Sequence, residues 1–286
     1  MEFAFTDEQK MIADTVRAFF SENATSERTR KAMAGNGIDR GLWTDFCTEL
    51  ALSGIGLPEE HGGAGLGMVE FAIVAEAAGA QIAALPLLGL ATAARAIAAG
   101  GSDAQKEAWL PRLVAGEGIA ACEGVNALEA QDNRVSGKVE FVPHGGVADL
   151  FVFVATGQAW LVRADAPGVR VTPHVTMDQT RPLATVTLEG AEAEALADPA
   201  AAIAAVHAGG WVCLAAEALG GAQEALDRTC AYAKERVQFG RAIGSFQAYK
   251  HRLAGMMIGI EQAPSPVYWA ARAGGEGSQE AGNALP

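Results

Sequence analysis

Basic side chains are scarce in this chain. Its 286 residues carry 21 Lys and Arg against 34 Asp and Glu, a formal net charge of −13. That balance excludes nucleic acid, whose phosphates select basic surfaces, and argues against anionic membrane surfaces. An anionic ligand would have to be met by local positive charge or by helix N-termini, against the overall field. Cysteine is also sparse: Cys47, Cys122, Cys213 and Cys230 form no Cys-x-x-Cys pair, and no His stands at metal-ligand spacing. Neither a disulfide framework nor a metal site is expected, and the four read as reduced, buried thiols of a cytoplasmic protein. Met1 is followed by Glu2 and a helix-start pattern, so no secretory leader is expected. The most apolar stretch, 82–99, is mostly alanine and is interrupted by Pro86, Gly89 and Arg95, which fits a buried helix better than a bilayer span. P-loop, Gly-x-Ser-x-Gly and His-Glu-x-x-His patterns are absent. Gly63, Gly65 and Gly67 match a dinucleotide fingerprint only in part, and they follow a helix rather than a strand.

What is abundant is core material. Half of the residues are hydrophobic and 19% are charged, in a chain long enough for one large domain or two to three small ones. Residues 1 to 117 read as helical. Thr6 to Gln9 forms a capping box, followed by an apolar face of Met11, Ile12, Thr15, Val16, Phe19 and Phe20. A second helix is predicted over 42–52, a glycine-rich loop over 53–67, and a helix over 68–79. Ser102 caps another that runs through Trp109 to Val114, with Gly116 as the stop. From 118 to 197 the texture changes to short β-rich runs around Val135 to Phe141, 150–154, 160–162, 169–171 and 184–188. These predict an antiparallel β domain. From 198 to 286 the chain is helical again, with Asp198 as cap and Pro199 at the first helical position. A turn is expected at 240–244 and a further helix from Phe246 to about Gln262. Pro264 and Pro266 should stop or kink it near Ala263, leaving the last residues loosely held.

Several segments carry a family resemblance. They are Leu57-Pro58-Glu59-Glu60-His61-Gly62-Gly63, then 105–113, then 178–184 with Asp178, Thr180 and Arg181, and above all the block from Arg236 through Gln238, Phe239, Gly240, Phe246 and Gln247 to Ala254. In this order and spacing they resemble the acyl-CoA dehydrogenase family over almost the whole chain. The resemblance implies an α+β multi-domain fold: an N-terminal helical domain (1–117), a middle antiparallel β-barrel-like domain (118–197) and a partial C-terminal helical-bundle domain (198–286). It implies FAD as cofactor and an acyl-CoA thioester as substrate, with an electron-transfer flavoprotein or similar acceptor. It also implies that Arg236, Gln238, Phe239 and Gln247 reach the FAD of a neighbouring subunit. Arginine suits a pyrophosphate with its fork of donors, and phenylalanine offers a ring system a flat face.

The chain departs from the family pattern in two places. The first strand reads Ala121-Cys122-Glu123-Gly124, with no Gly-Ser-Asp after it. The segment expected against the flavin reads Phe141-Val142-Pro143, where Pro143 has neither a backbone donor nor a hydroxyl. The local flavin cradle therefore reads as degraded. The α-proton of an acyl thioester must be taken by a positioned carboxylate. Most of the family places it beyond residue 286 in this register, and a minority where this chain has Gly209-Gly210-Trp211. The catalytic residue stays unassigned. The expectation is a subunit of a heteromeric enzyme whose partner, a second acyl-CoA dehydrogenase-like subunit, supplies the base. A self-sufficient enzyme using Glu123 or His207, and a non-catalytic scaffold or truncated product, remain open beside it. Relatives of this heteromeric kind resemble enzymes acting on steroid side-chain CoA thioesters.

Overall fold

The computed structural model describes residues 4–125 and 128–275. The chain opens with four helices: α1 (Asp7–Asn23), α2 (Ser26–Ala34), α3 (Arg40–Thr48) and α4 (Met68–Ala80). The Thr6–Gln9 capping box forms as the sequence predicts. Val16, Phe19 and Phe20 face inward, whereas Met11 at the start of the expected face is exposed. Phe20 stacks on Phe46, which stacks on Trp43. The α2 helix was not foreseen; its turn is short, polar and capped by the Thr25 hydroxyl, so it carries little apolar periodicity to read. α3 ends at Thr48, short of the expected Leu52, and the glycine-rich stretch that follows holds two short 3-10 turns.

Two more helical segments complete this part. α5 (Leu87–Gly89) and α6 (Arg95–Gly100) are joined through a π-type turn over Leu90–Ala94, and α7 (Asp103–Val114) follows. α7 starts from the Ser102–Gln105 capping box.

The β-rich segment folds as two four-stranded sheets. One contains β1 (Ala120–Gly124), β4 (Leu150–Ala155), β5 (Gln158–Arg163) and β8 (Glu194–Ala195), in the order β1-β4-β5-β8. The other contains β2 (Glu129–Gln131), β3 (Arg134–Pro143), β6 (Val169–Pro173) and β7 (Leu183–Glu192), in the order β2-β3-β7-β6. Strand pairs are antiparallel as expected, except that β1 runs parallel to β4. Every residue from Leu150 to Val154 is buried, and side-chain alternation explains why. Leu150, Val152 and Val154 join the helical core, while Phe151 and Phe153 join a second core shared with Val139, Val142 and Val186 of the other sheet. The first sheet is thus sandwiched between helices and the second sheet, which accounts for an unbroken apolar run instead of a polar alternation.

The C-terminal part is dominated by α8 (Pro199–Glu235), a helix of 37 residues capped by the Asp198 side chain with Pro199 in its first turn. By length and composition α8 could cross a bilayer, yet its inward face, with Val212, Cys213, Ala216 and Leu219, is built into the helical core. A two-stranded hairpin, β9 (Val237–Gln238) and β10 (Arg241–Ala242), leads into α9 (Gln247–Gln262) and α10 (Pro264–Gly275). The break at Ala263 occurs where the prolines predict it. The expectation of a loose tail fails over 264–275: Pro264 opens a new helix instead of ending one, as proline does at a first helical position. Val267, Ala270 and Ala271 are buried in the helical core. Tyr268 donates a hydrogen bond to Glu76 on α4 at 2.5 Å and meets Phe5 edge-on at 4.8 Å. The residues beyond 275 lie outside the described part. Because Ala271 is 1% exposed, Ala271→Asp is expected to lower stability by at least about 2 kcal/mol through burial of an unpaired carboxylate. The urea midpoint measures this; an unchanged midpoint would show α10 to be undocked.

Candidate functional site

α8 stops at Arg236, which has left helical geometry. The chain then reverses over Phe239 and Gly240, at φ of 52° and 76°. Left-handed backbone at both central positions is the signature of a hairpin turn whose twist matches its strands. Asparagine or glycine normally takes the first of these positions, and a bulky phenylalanine there is strained. This phenylalanine gains no burial in return, since it is 92% exposed. Among the described residues its only ring partner is Phe246, edge-on at 6.3 Å, and the Arg241 guanidinium covers Phe246 at 4.0 Å. The turn is fastened by the Ile243 amide, which donates to the Arg236 carbonyl at 2.8 Å. The structure thus carries Arg236, Gln238, Phe239 and Gln247 on one exposed arm at the junction of α8 and α9. The Gln238 amide donates to its own neighbour's carbonyl, that of Val237.

In the β layers, Phe141 sits at a bulge where the β3–β7 register shifts. Its φ is 61°, it is 60% exposed, and it stacks on His174 at 5.4 Å. An aromatic surface is present there. Pro143 lies in the ladder opposite Leu183 and offers no donor. Glu123 is the penultimate residue of β1; its carboxylate accepts from the Gly124 amide at 3.0 Å, and burial pushes its carboxyl up. Of the departing segment 125–128, residues 126 and 127 lie outside the described part.

On α8, His207 is exposed and stacks on Trp211 with rings 5.4 Å apart and nearly parallel. Next to it, a Cβ on Gly209 would stand 1.8 Å from the Ala91 carbonyl oxygen. Two helices touch there through backbone, and no carboxylate-bearing side chain fits.

A third group includes Asp178, Thr180 and Arg181, which the sequence marks as a family segment but not as a site. Arg181 donates to Glu217 of α8 in a short ion pair, and Asp178 orients the approach by accepting from both the Thr180 amide and hydroxyl. These residues and His144 line a cleft of about 370 Å³ between α4, the β6–β7 loop and α8. Burial holds the Glu217 carboxyl above its ordinary range despite Arg181 beside it. Only the segment Asp178-x-Thr180-Arg181 could have signalled this group; the partner Glu217 lies 36 residues further on with nothing to mark it.

Comparison with known proteins decides the family. Models of the acyl-CoA dehydrogenase N-terminal and C-terminal domains match residues 6–117 and 201–285. Acyl-CoA dehydrogenase IpdE2 of Mycobacterium tuberculosis is 37% identical over 264 residues, covering 91% of this chain and 74% of that protein. The chain belongs to the acyl-CoA dehydrogenase family. Among solved structures, a variant of the Tcur3481-Tcur3483 steroid ACAD superposes with a TM-score of 0.88 at 31% identity, covering 97% of this chain and 81% of that one. The ChsE4-ChsE5 complex of Mycobacterium tuberculosis gives 0.87 at 28%, covering 95% and 79%.

FAD is the cofactor of this acyl-CoA dehydrogenase fold, and structures of the fold hold FAD or FADH2. The chain's own residues fit a flavin unevenly. The α8–α9 arm presents a cation and an aromatic face, and the Arg236 guanidinium meets no protein partner among the described residues. The local β3 segment keeps only the aromatic face of Phe141.

His144, 3% exposed, is pulled down to about 3 by burial and, secondarily, by the Arg181 charge. The unfolded chain protonates this ring near the usual 6.5; the folded one does not. Its contribution to stability is therefore present above pH 6.5 and lost as pH falls toward 3. At about 1.4 kcal/mol per pH unit, the loss by pH 5 is about 2 kcal/mol. His144→Asn, whose side chain tolerates left-handed backbone, is expected to flatten that loss; urea midpoints at about pH 7.5 and pH 5 compare the two proteins.

Proposed function

We propose that this chain is one subunit of a heteromeric, FAD-dependent acyl-CoA dehydrogenase, and that its α8–α9 arm completes a flavin site built mainly by the partner. The observation that carries this reading is Phe239: a strained backbone held in place to present a bare aromatic ring to solvent, beside an arginine whose guanidinium meets no partner among the described residues. Strain without burial is retained where the surrounding structure uses it.

When bound, FAD would supply the acceptor for the β-hydride of the acyl thioester. Arg236 meets the pyrophosphate charge, Phe239 covers a ring face, and Gln238 and Gln247 offer amide hydrogen bonds. A partner carboxylate would take the α-proton, because the helix position at Gly209 has no room for one. The names of the Tcur3481-Tcur3483 steroid ACAD and the ChsE4-ChsE5 complex support a two-gene assembly and a steroid-derived CoA thioester. An electron-transfer flavoprotein or a similar carrier would then reoxidise the flavin.

The test is to purify the chain alone and with a co-expressed family partner, and to measure bound flavin and acceptor-coupled turnover. Flavin and activity are expected only in the complex. Stoichiometric flavin with turnover by the isolated chain would instead support a self-sufficient enzyme working through Glu123 or His207. In the complex, Arg236→Ala is expected to weaken FAD retention at least tenfold; unchanged flavin content would remove Arg236 from the site. Phe239→Asn should separate strain from function. The isolated chain gains about 1 kcal/mol as asparagine relaxes the turn, while the complex loses flavin.

A further inference from the structure

Two of the chain's left-handed non-glycine residues line the same cleft. Ile82 has a φ of 51° and His144 a φ of 57°. A β-branched side chain at positive φ is an outlier, and strain of this kind gathers at ligand clamps. Ile82 stands 57% exposed at the cleft and Leu214 of α8 is 42% exposed, whereas His144 is 3% exposed. The cleft therefore has an apolar wall open to solvent and a polar floor in which His144 is buried and Arg181 and Glu217 are partly buried.

The floor has hydrogen-bonding capacity in reserve. The His144 ring makes no hydrogen bond among the described residues, and Arg181 uses its guanidinium only toward Glu217. Close helix packing fixes this geometry, since a Cβ on Gly79 would meet the Glu217 carbonyl oxygen at 2.2 Å. The charges decide what fits. Arg181 is balanced by Glu217, Asp178 adds a negative charge, and His144 is neutral, so an anion would enter against a floor of net negative charge. A neutral oxygen acceptor has two donors to meet, an Arg181 N–H and a His144 N–H. A cavity of about 370 Å³ is within the range that holds a small ligand.

We infer that this cleft binds a compact apolar body carrying one neutral oxygen, a ketone or hydroxyl, with that oxygen on Arg181 and His144 and the hydrocarbon against Ile82 and Leu214. The assignment of that ligand to the acyl part of the substrate rests on the proposed function; the binding itself does not.

The experiment titrates the full-length chain, without partner or flavin, with 2-decalone and with decalin-2-carboxylate, read by ligand-detected NMR. The ketone is expected to bind saturably and the carboxylate at least tenfold more weakly. Leu214→Trp, which fills the cleft from its exposed wall, is expected to weaken ketone binding at least tenfold. Ala218→Phe serves the same purpose if that variant does not fold, and circular dichroism checks each. His144→Asn is expected to narrow the preference for ketone over carboxylate. Absence of ketone binding to the folded wild-type chain, equal binding by a folded cleft-filling variant, or tighter binding of the carboxylate would each overturn the inference. Flavin retention in the complex is unaffected by these outcomes, so the two readings fail separately.

Discussion

The rest of the molecule depends on the way α8 lies against α4 and the π-type turn. Gly209 and Gly79 allow backbone to touch backbone, with no Cβ tolerated at either point. Contacts this close leave little freedom in the register of α8, because a one-residue slip would drive side chains into facing carbonyls. Everything functional on the C-terminal side is measured from that rod. Glu217 is delivered to Arg181 two turns beyond Gly209, and the arm with Arg236 and Phe239 projects from its far end. α10 returns to the same helices and ties to Glu76 through Tyr268.

Around this rigid frame, four of the seven positive-φ non-glycine residues among those described lie near the candidate sites. Ile82, Phe141, His144 and Phe239 all hold positive φ, and all four border the cleft, the outer sheet surface or the arm. None is a glycine and none is a loop tip of small polar residues, the usual place for such backbone. The two phenylalanines are mostly exposed, so burial does not repay them. In a minimally frustrated chain local conflicts of this sort concentrate at sites of use.

Much of this was legible in the sequence, for identifiable reasons. The caps at Thr6, Ser102 and Asp198 were readable because side-chain capping is a local code. The strands at 150–154 and 184–188 were readable because β-branched and aromatic runs have few alternatives. The parallel pairing of β1 with β4 was not, because pairing partners are chosen by tertiary packing. The fate of Pro264 was missed for a related reason: the same residue that breaks one helix starts another, and only the apolar spacing of Val267, Ala270 and Ala271 against α4 and α8 decides between them. The arm was legible as a block of residue types. Its strained turn was not, since Phe-Gly does not advertise left-handed geometry as Asn-Gly does. The Arg181–Glu217 pair joins residues 36 apart in sequence, beyond the reach of any local pattern.

The arm and the β3 surface differ in what they offer a ligand. A single subunit that both cradled its own flavin and offered an arm to a neighbour would keep the arm and the β3 surface in step. Here the arm keeps its cation and ring, while β3 has a proline where a donor would be needed. Losing a donor at a buried ring edge leaves an acceptor unpaired at a cost of about 1–3 kcal/mol. The exposed Arg236 side chain and Phe239 ring, by contrast, bury little of the fold that carries them. An arm whose cation and ring meet so little of their own chain is the feature on which the proposed heteromeric assembly rests.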